Sequence, residues 1–177
     1  MAFSLTDIKS QFQFQGARQN QFIVDITNKG NSTADFKTPF LVQAASLPGL
    51  QKGTINVPYF GRTMKLAGDR EYAPWSIVVM NDEDFLIRNA MEEWSNKINS
   101  FEGNVRTLTD YKSRARVTQL GKKGDKLRTY TFEGLWPAEI SPIELDWGTN
   151  DQYETFQVTF QYDYFTVEGI TGDAGGF

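Results

Sequence analysis

The 177-residue sequence contains neither cysteine nor histidine. Disulfides, thiol nucleophiles, imidazole bases and the common zinc sites are excluded by residue type alone. No apolar run approaches the ~20 residues that a bilayer-crossing helix needs. The opening residues M-A-F-S-L-T-D-I-K lack a basic flank followed by an apolar core, so neither a signal peptide nor a membrane anchor is expected. Cations are outnumbered, with 18 Lys and Arg against 22 Asp and Glu for a net charge of -4. That balance argues against a general duplex-DNA binder. A repeat of solenoid period is also missing.

What the chain does contain is apolar and aromatic, at 40% and 14% of residues. Such a composition fits a β-rich globular protein, and the length predicts a single domain, residues 1–177, with a sizeable core. Residues 1–16 read as an arm, in which Phe12 and Phe14 alternate with Gln11, Gln13 and Gln15 before Gly16. Residues 166–177 read as a glycine-rich tail.

Alternation predicts the strands between these ends. Phe22, Val24 and Ile26 share one face over residues 21–27, and a second strand is expected at 40–47. Residues 54–59 and 63–66 form a hairpin around Phe60 and Gly61, with a closing turn at Gly68 and Asp69. Pro58 cannot donate to a ladder, which places this hairpin at an edge or on an arm. It is expected to carry little apolar surface and to reach a neighbouring chain through Thr54, Asn56, Pro58, Arg62 and Lys65. Residues 75–80 are apolar on both faces and predict a central strand. Two further strands, 114–120 and 127–135, flank G-K-K-G-D-K. The last strand, 153–165, alternates most cleanly. Phe156, Val158, Phe160, Tyr162 and Tyr164 face one way; Thr155, Gln157, Thr159, Gln161 and Asp163 face the other.

One helix interrupts the strands. Ile87, Met91, Trp94 and Ile98 fall on one stripe, Asn81 is a suitable N-cap, and Asp82, Glu83 and Asp84 complement the helix dipole. The helix is expected over residues 82–99, with Asp84–Arg88 and Glu93–Lys97 pairs on its exposed face, and a loop over 101–111. The resulting fold class is mainly β: an antiparallel sandwich or partly closed barrel with one α-helix packed on it.

No catalytic, metal or cofactor site rises above its structural explanation. Helix capping accounts for Asp82, Glu83 and Asp84, and Glu144, Asp146 and Asp151 lie in a turn-rich loop. Gly68-Asp69-Arg70 lacks the glycine spacing of a phosphate cradle. Of four tryptophans that could stack on sugar, Trp75 and Trp94 sit on core patterns, leaving Trp136 and Trp147. Basic residues concentrate from Lys112 to Arg128. Arg114, Arg116, Lys122 and Lys123 are expected to meet acidic groups of another chain, with Glu133, Glu139, Glu144, Asp146, Asp151 and Glu154 as the complementary surface.

Several strings in this order carry a resemblance. A-G-D-R at 67–70 and W-S-I-V-V-M-N-D-E at 75–83 are followed by G-L-W-P at 134–137, L-D-W at 145–147 and T-F-Q-V-T-F at 155–160. Their order and spacing resemble the tail tube proteins of contractile-tailed bacteriophages. The resemblance implies a structural, cofactor-free virion protein made in the host cytoplasm. Hexameric rings of it would stack into a tube, contact sheath and baseplate proteins, and pass duplex DNA without specific binding. If each of six subunits gives four strands, about 24 strands at ~4.8 Å make a barrel roughly 115 Å around before tilt, with a bore on the order of 40 Å. Thr155, Gln157, Thr159, Gln161 and Asp163 are then expected to face the lumen. A tube protein of a type VI-like injection system, a tail-tube initiator or baseplate adaptor, and a carbohydrate-binding sandwich stay open as alternatives.

Overall fold

Alternating residues assemble into two antiparallel sheets that share one strand. The computed structural model describes residue 9, residues 16–100 and residues 111–168. The arm expected at 1–16 and the loop at 101–111 therefore lie almost wholly outside the described residues, as does the tail beyond 168. The strands are β1 (Phe22–Ile26), β2 (Val42–Ala45), β3 (Gln51–Tyr59), β4 (Arg62–Glu71), β5 (Trp75–Met80), β6 (Ser113–Leu120), β7 (Lys126–Ile140), β8 (Thr155–Gln161) and β9 (Tyr164–Glu168). The described residues also form a 3-10 helix (Ser32–Phe36) and the α-helices α1 (Thr38–Leu41) and α2 (Leu86–Ile98).

β7 is the shared strand. Its first half pairs with β6 on one side and β9 on the other, while Trp136 to Ile140 pair with β8. Gly134, at φ 70°, marks the change of partner. The first sheet is thus β1-β6-β7-β9 and the second β7-β8-β5-β2. Their inner faces form the core, with Trp75 of the second stacked on Phe132 of the first at 4.4 Å between ring centroids. Phe132, Phe156, Phe160, Val158 and Leu135 are buried; each large side chain removed from water contributes about 1.5–3 kcal/mol. The buried indoles find acceptors, Trp75 Nε1 donating to Ser46 O and Trp94 Nε1 to Tyr111 O, both at 2.8 Å.

α2 covers this core through Ile87, Ala90, Met91 and Trp94, the spacing that keeps side chains on one stripe. Gly30 makes the close approach possible, because a Cβ there would sit 2.5 Å from the Ala90 carbonyl. Lys97 Nζ then ties the helix end to the turn after β1, donating to the carbonyls of Lys29 and Gly30 at 2.9 and 2.8 Å.

Several expectations need correction. The helix begins at Leu86 instead of residue 82, because Asn81 extends the sheet: its amide donates to Glu154 O at 2.8 Å and its side chain to Glu154 Oε2 at 2.9 Å. Phe85 caps α2 in the left-handed region, and Asp84 Oδ1 accepts from the Leu86 amide at 3.1 Å. Arg88 pairs with Glu92 at 2.9 Å rather than with Asp84, and Lys97 serves the carbonyls above. The strand expected at 40–47 is only β2; Pro39 opens α1 just before it. The long final strand is broken at Tyr162 and Asp163 into β8 and β9, and β9 includes the first residues assigned to the tail. Tyr164 falls on the exposed side of that break, away from Phe156, Val158, Phe160 and Tyr162.

Candidate channel and assembly surfaces

The outer face of the second sheet is almost free of charge. β2, β5 and β8 contain no Asp, Glu, Lys or Arg. Thr155 and Gln157 are exposed on this face, Thr159 and Gln161 half-buried. Opposite them on β5 stand Met80, Val78 and Ser76, and Ser76 Oγ lies 3.3 Å from Thr159 Oγ1. Glu139, opposite Thr159 on β7, is the single ionisable group in the paired half of that strand. Asp163 does not continue the row. It sits in the break after β8, its amide donating to the Glu133 carbonyl at 3.0 Å and its carboxylate accepting from Lys112 Nζ at 2.7 Å. That contact raises the Lys112 pKa above its ordinary value.

The outer face of the first sheet is built the opposite way. Asp25 stands opposite Arg116 across β1 and β6, and Arg114 bridges Glu133 at 2.7 Å across β6 and β7. Of the expected inter-subunit cations, Arg114 therefore spends its charge within its own sheet, together with one of its expected acidic partners. Lys122 and Lys123 lie exposed in the β6–β7 turn.

The β3–β4 hairpin forms a separate two-stranded sheet. Its turn has positive φ at both Phe60 (42°) and Gly61 (77°), the twist-compatible geometry of a two-residue hairpin. Cross-strand register puts Ile55 opposite Leu66, Val57 opposite Met64 and Tyr59 opposite Arg62. Directly opposed residues share a face, so the hairpin has one apolar face, and Ile55, Tyr59, Met64 and Leu66 on it are exposed. The expectation of little apolar surface was wrong. Thr54, Asn56, Pro58 and Lys65 occupy the other, polar face, and only Arg62 of the expected arm residues shares the apolar one. Register was the missing information; alternation on both sides of the turn was the available signal. The turn expected at Gly68 and Asp69 is absent, since β4 continues to Glu71 and Gly68 packs against Gly53 at a register shift.

The remaining candidates disperse. Lys37 binds Asp82 at 2.8 Å and also Asp84, which lowers the Asp84 pKa chiefly through the Lys37 hydrogen bond. Asp146 organises its own turn, accepting from the Gly148 amide at 3.0 Å. Trp75 and Trp94 are core, and Trp136 lies against Tyr111 with centroids 6.2 Å apart. Trp147 alone projects fully, so no multi-tryptophan sugar platform forms.

Known proteins similar to this chain can be named. The family model described as phage tail tube protein matches residues 8–168. The tail tube protein gp19 of Enterobacteria phage T4 is 32% identical over 153 residues, covering 84% of this chain and 90% of that protein. The tail tube protein of Serratia phage KSP90 is 32% identical over 124 residues, 69% of this chain and 70% of its own. In fold, the chain resembles a component of the anti-feeding prophage baseplate, with a TM-score of 0.64 at 13% identity, covering 89% of this chain and 98% of that one.

Proposed function

Because the chain belongs to the phage tail tube protein family and is a structural component of a contractile tail, we propose that its copies close into hexameric rings, that the rings stack, and that the lumen passes duplex DNA. The whole chain, residues 1–177, works as one tube domain, and sheath and baseplate proteins surround the tube and meet its end. The subunit acts as a wall and not as a catalyst.

The observation that carries this reading is the uncharged outer face of β2, β5 and β8. Four strands, β7-β8-β5-β2, form that sheet, the number per subunit that a wide six-subunit barrel would use. A wall past which DNA slides must not hold phosphate, and every cation added to it would create a salt-dependent attraction through counterion release. Thr155, Gln157, Thr159 and Gln161 supply polarity without that attraction. Asp163 adds little field because Lys112 neutralises it. The apolar face of the β3–β4 hairpin packs on a neighbouring subunit, which explains why so much apolar surface is left uncovered on one chain. Arg116, Lys122 and Lys123 face acidic groups of neighbouring subunits; Arg114 acts from within its pair with Glu133.

Lysine at Gln157 and Gln161 tests the wall. The Q157K/Q161K protein is expected to form tubes by electron microscopy that now retain duplex DNA at low salt and release it as salt rises, with impaired ejection. Tubes that carry both lysines and leave DNA unbound would place the lumen on another face.

A further inference from the structure

Two features of this chain fit each other but do not meet within one subunit. The first is a groove of about 530 Å³ running between β1 and β2. These are terminal strands of their respective sheets, so the groove lies where the sandwich is left open. Phe22, Ala45, Leu47 and Val117 give it apolar walls, and Gln43 and Gln119 contribute amides. Gln21 lines it too, and its Oε1 is buried without a hydrogen-bond partner. An orphaned acceptor is costly, because it has lost water and gained nothing.

The second feature is the turn at residues 145–149. It is fixed by its own bonds: Asp146 Oδ1 accepts from the Gly148 amide at 3.0 Å, and the Thr149 amide donates to the Asp146 carbonyl at 3.2 Å. Yet this ordered turn holds Trp147 at 101% exposure and Leu145 at 79%. An indole offers a large apolar face, one N–H donor and no acceptor. The groove offers apolar walls, the amides of Gln43 and Gln119, and in Gln21 Oε1 an acceptor that lacks its donor.

We propose that Trp147 of one subunit seats in the groove between β1 and β2 of the next copy of this chain, its ring against Phe22, Ala45, Leu47 and Val117, with the Gln21 side chain turning from its buried position so that Oε1 accepts the indole N–H. Knob and groove are different surfaces, so each subunit presents both, and such a head-to-tail contact closes a ring or propagates along a stack. The contact rests on the reading that copies of this chain assemble, and it adds an anchor separate from the β3–β4 hairpin. A buried tryptophan in a pocket is the kind of residue on which interface energy concentrates.

The absence of native cysteine makes the test direct. W147C and L47C proteins, mixed under assembling conditions and mildly oxidised, are expected to give a disulfide-linked dimer that neither protein gives alone. W147A is expected to melt at the wild-type temperature yet to need about tenfold more protein before assembly begins, the scale of losing one aromatic anchor. Assembly of W147A at the wild-type concentration, or mixed tubes without linked dimer, would overturn the groove contact while leaving the tube reading intact. A wild-type chain that stays monomeric under the microscope would remove both.

Discussion

The sandwich and the β3–β4 hairpin obey the same pattern and end in opposite states. In β8, alternate residues Phe156, Val158 and Phe160 are buried to 2% exposure or less. In β3, alternate residues Ile55 and Tyr59 keep 53% and 70% exposure. Period-2 alternation therefore states that a face is to be covered, and not by what. In the sandwich the cover is the opposite sheet and α2; on the hairpin Ile55, Tyr59, Met64 and Leu66 stay exposed, and the proposed cover is a neighbouring subunit. Stability should be concentrated in the first region and association in the second.

The contrast is sharpest at Phe132. Phe132→Ala removes a fully buried ring stacked on Trp75 and should lower unfolding free energy by about 3–5 kcal/mol, read by chemical denaturation of the monomer. A loss under ~1 kcal/mol would mean that the shared core is not where stability resides. Next comes the hairpin face. The I55S/M64S pair should shift monomer stability by no more than ~0.5 kcal/mol per site, as for surface substitutions, while rings and tubes disappear from micrographs. Unfolding of that variant would return the hairpin to the core.

The smallest effect is the tether between α1 and the entry to α2. Lys37 depresses the Asp84 pKa below its ordinary 3.8, so the contact is fully present above that value and is lost as pH falls through the lower folded-state value. Amide exchange at Leu86, whose N–H donates to Asp84, should quicken only in that acid range. Lys37→Gln should raise the pH at which it quickens. Exchange at Leu86 that ignores both changes would show that Phe85 alone sets the helix start.

Sequence reading succeeded where the determinants are local. Phe22-Val24-Ile26, Trp75-Ile77-Val79 and Ile87-Met91-Trp94 each reveal their face within one element, and the mainly β architecture follows from them. It failed where a distant partner decides. Asn81 is a sound helix cap until Glu154 arrives beside it. The row from Phe156 to Tyr164 looks unbroken because nothing local discloses Gly134 and Lys112, which fix Asp163 at the break. That Thr155, Gln157, Thr159 and Gln161 share one outer face is legible from alternation, whereas the departure of Asp163 from that row requires tertiary structure. Thr54, Asn56, Pro58 and Lys65 fall on the polar face of the hairpin, since only the pairing of β3 with β4 shows which side is apolar.

β7 has a mechanical meaning as well. A sandwich of two independent sheets can shear along its apolar mid-plane, where contacts carry no direction. Here one continuous backbone is stitched by ladder bonds into both layers, so sliding one past the other means stripping a row of hydrogen bonds simultaneously or bending the chain at Gly134. A subunit built this way is cross-braced: stress entering either sheet passes through the covalent backbone of β7 to the other, and the two layers deform together.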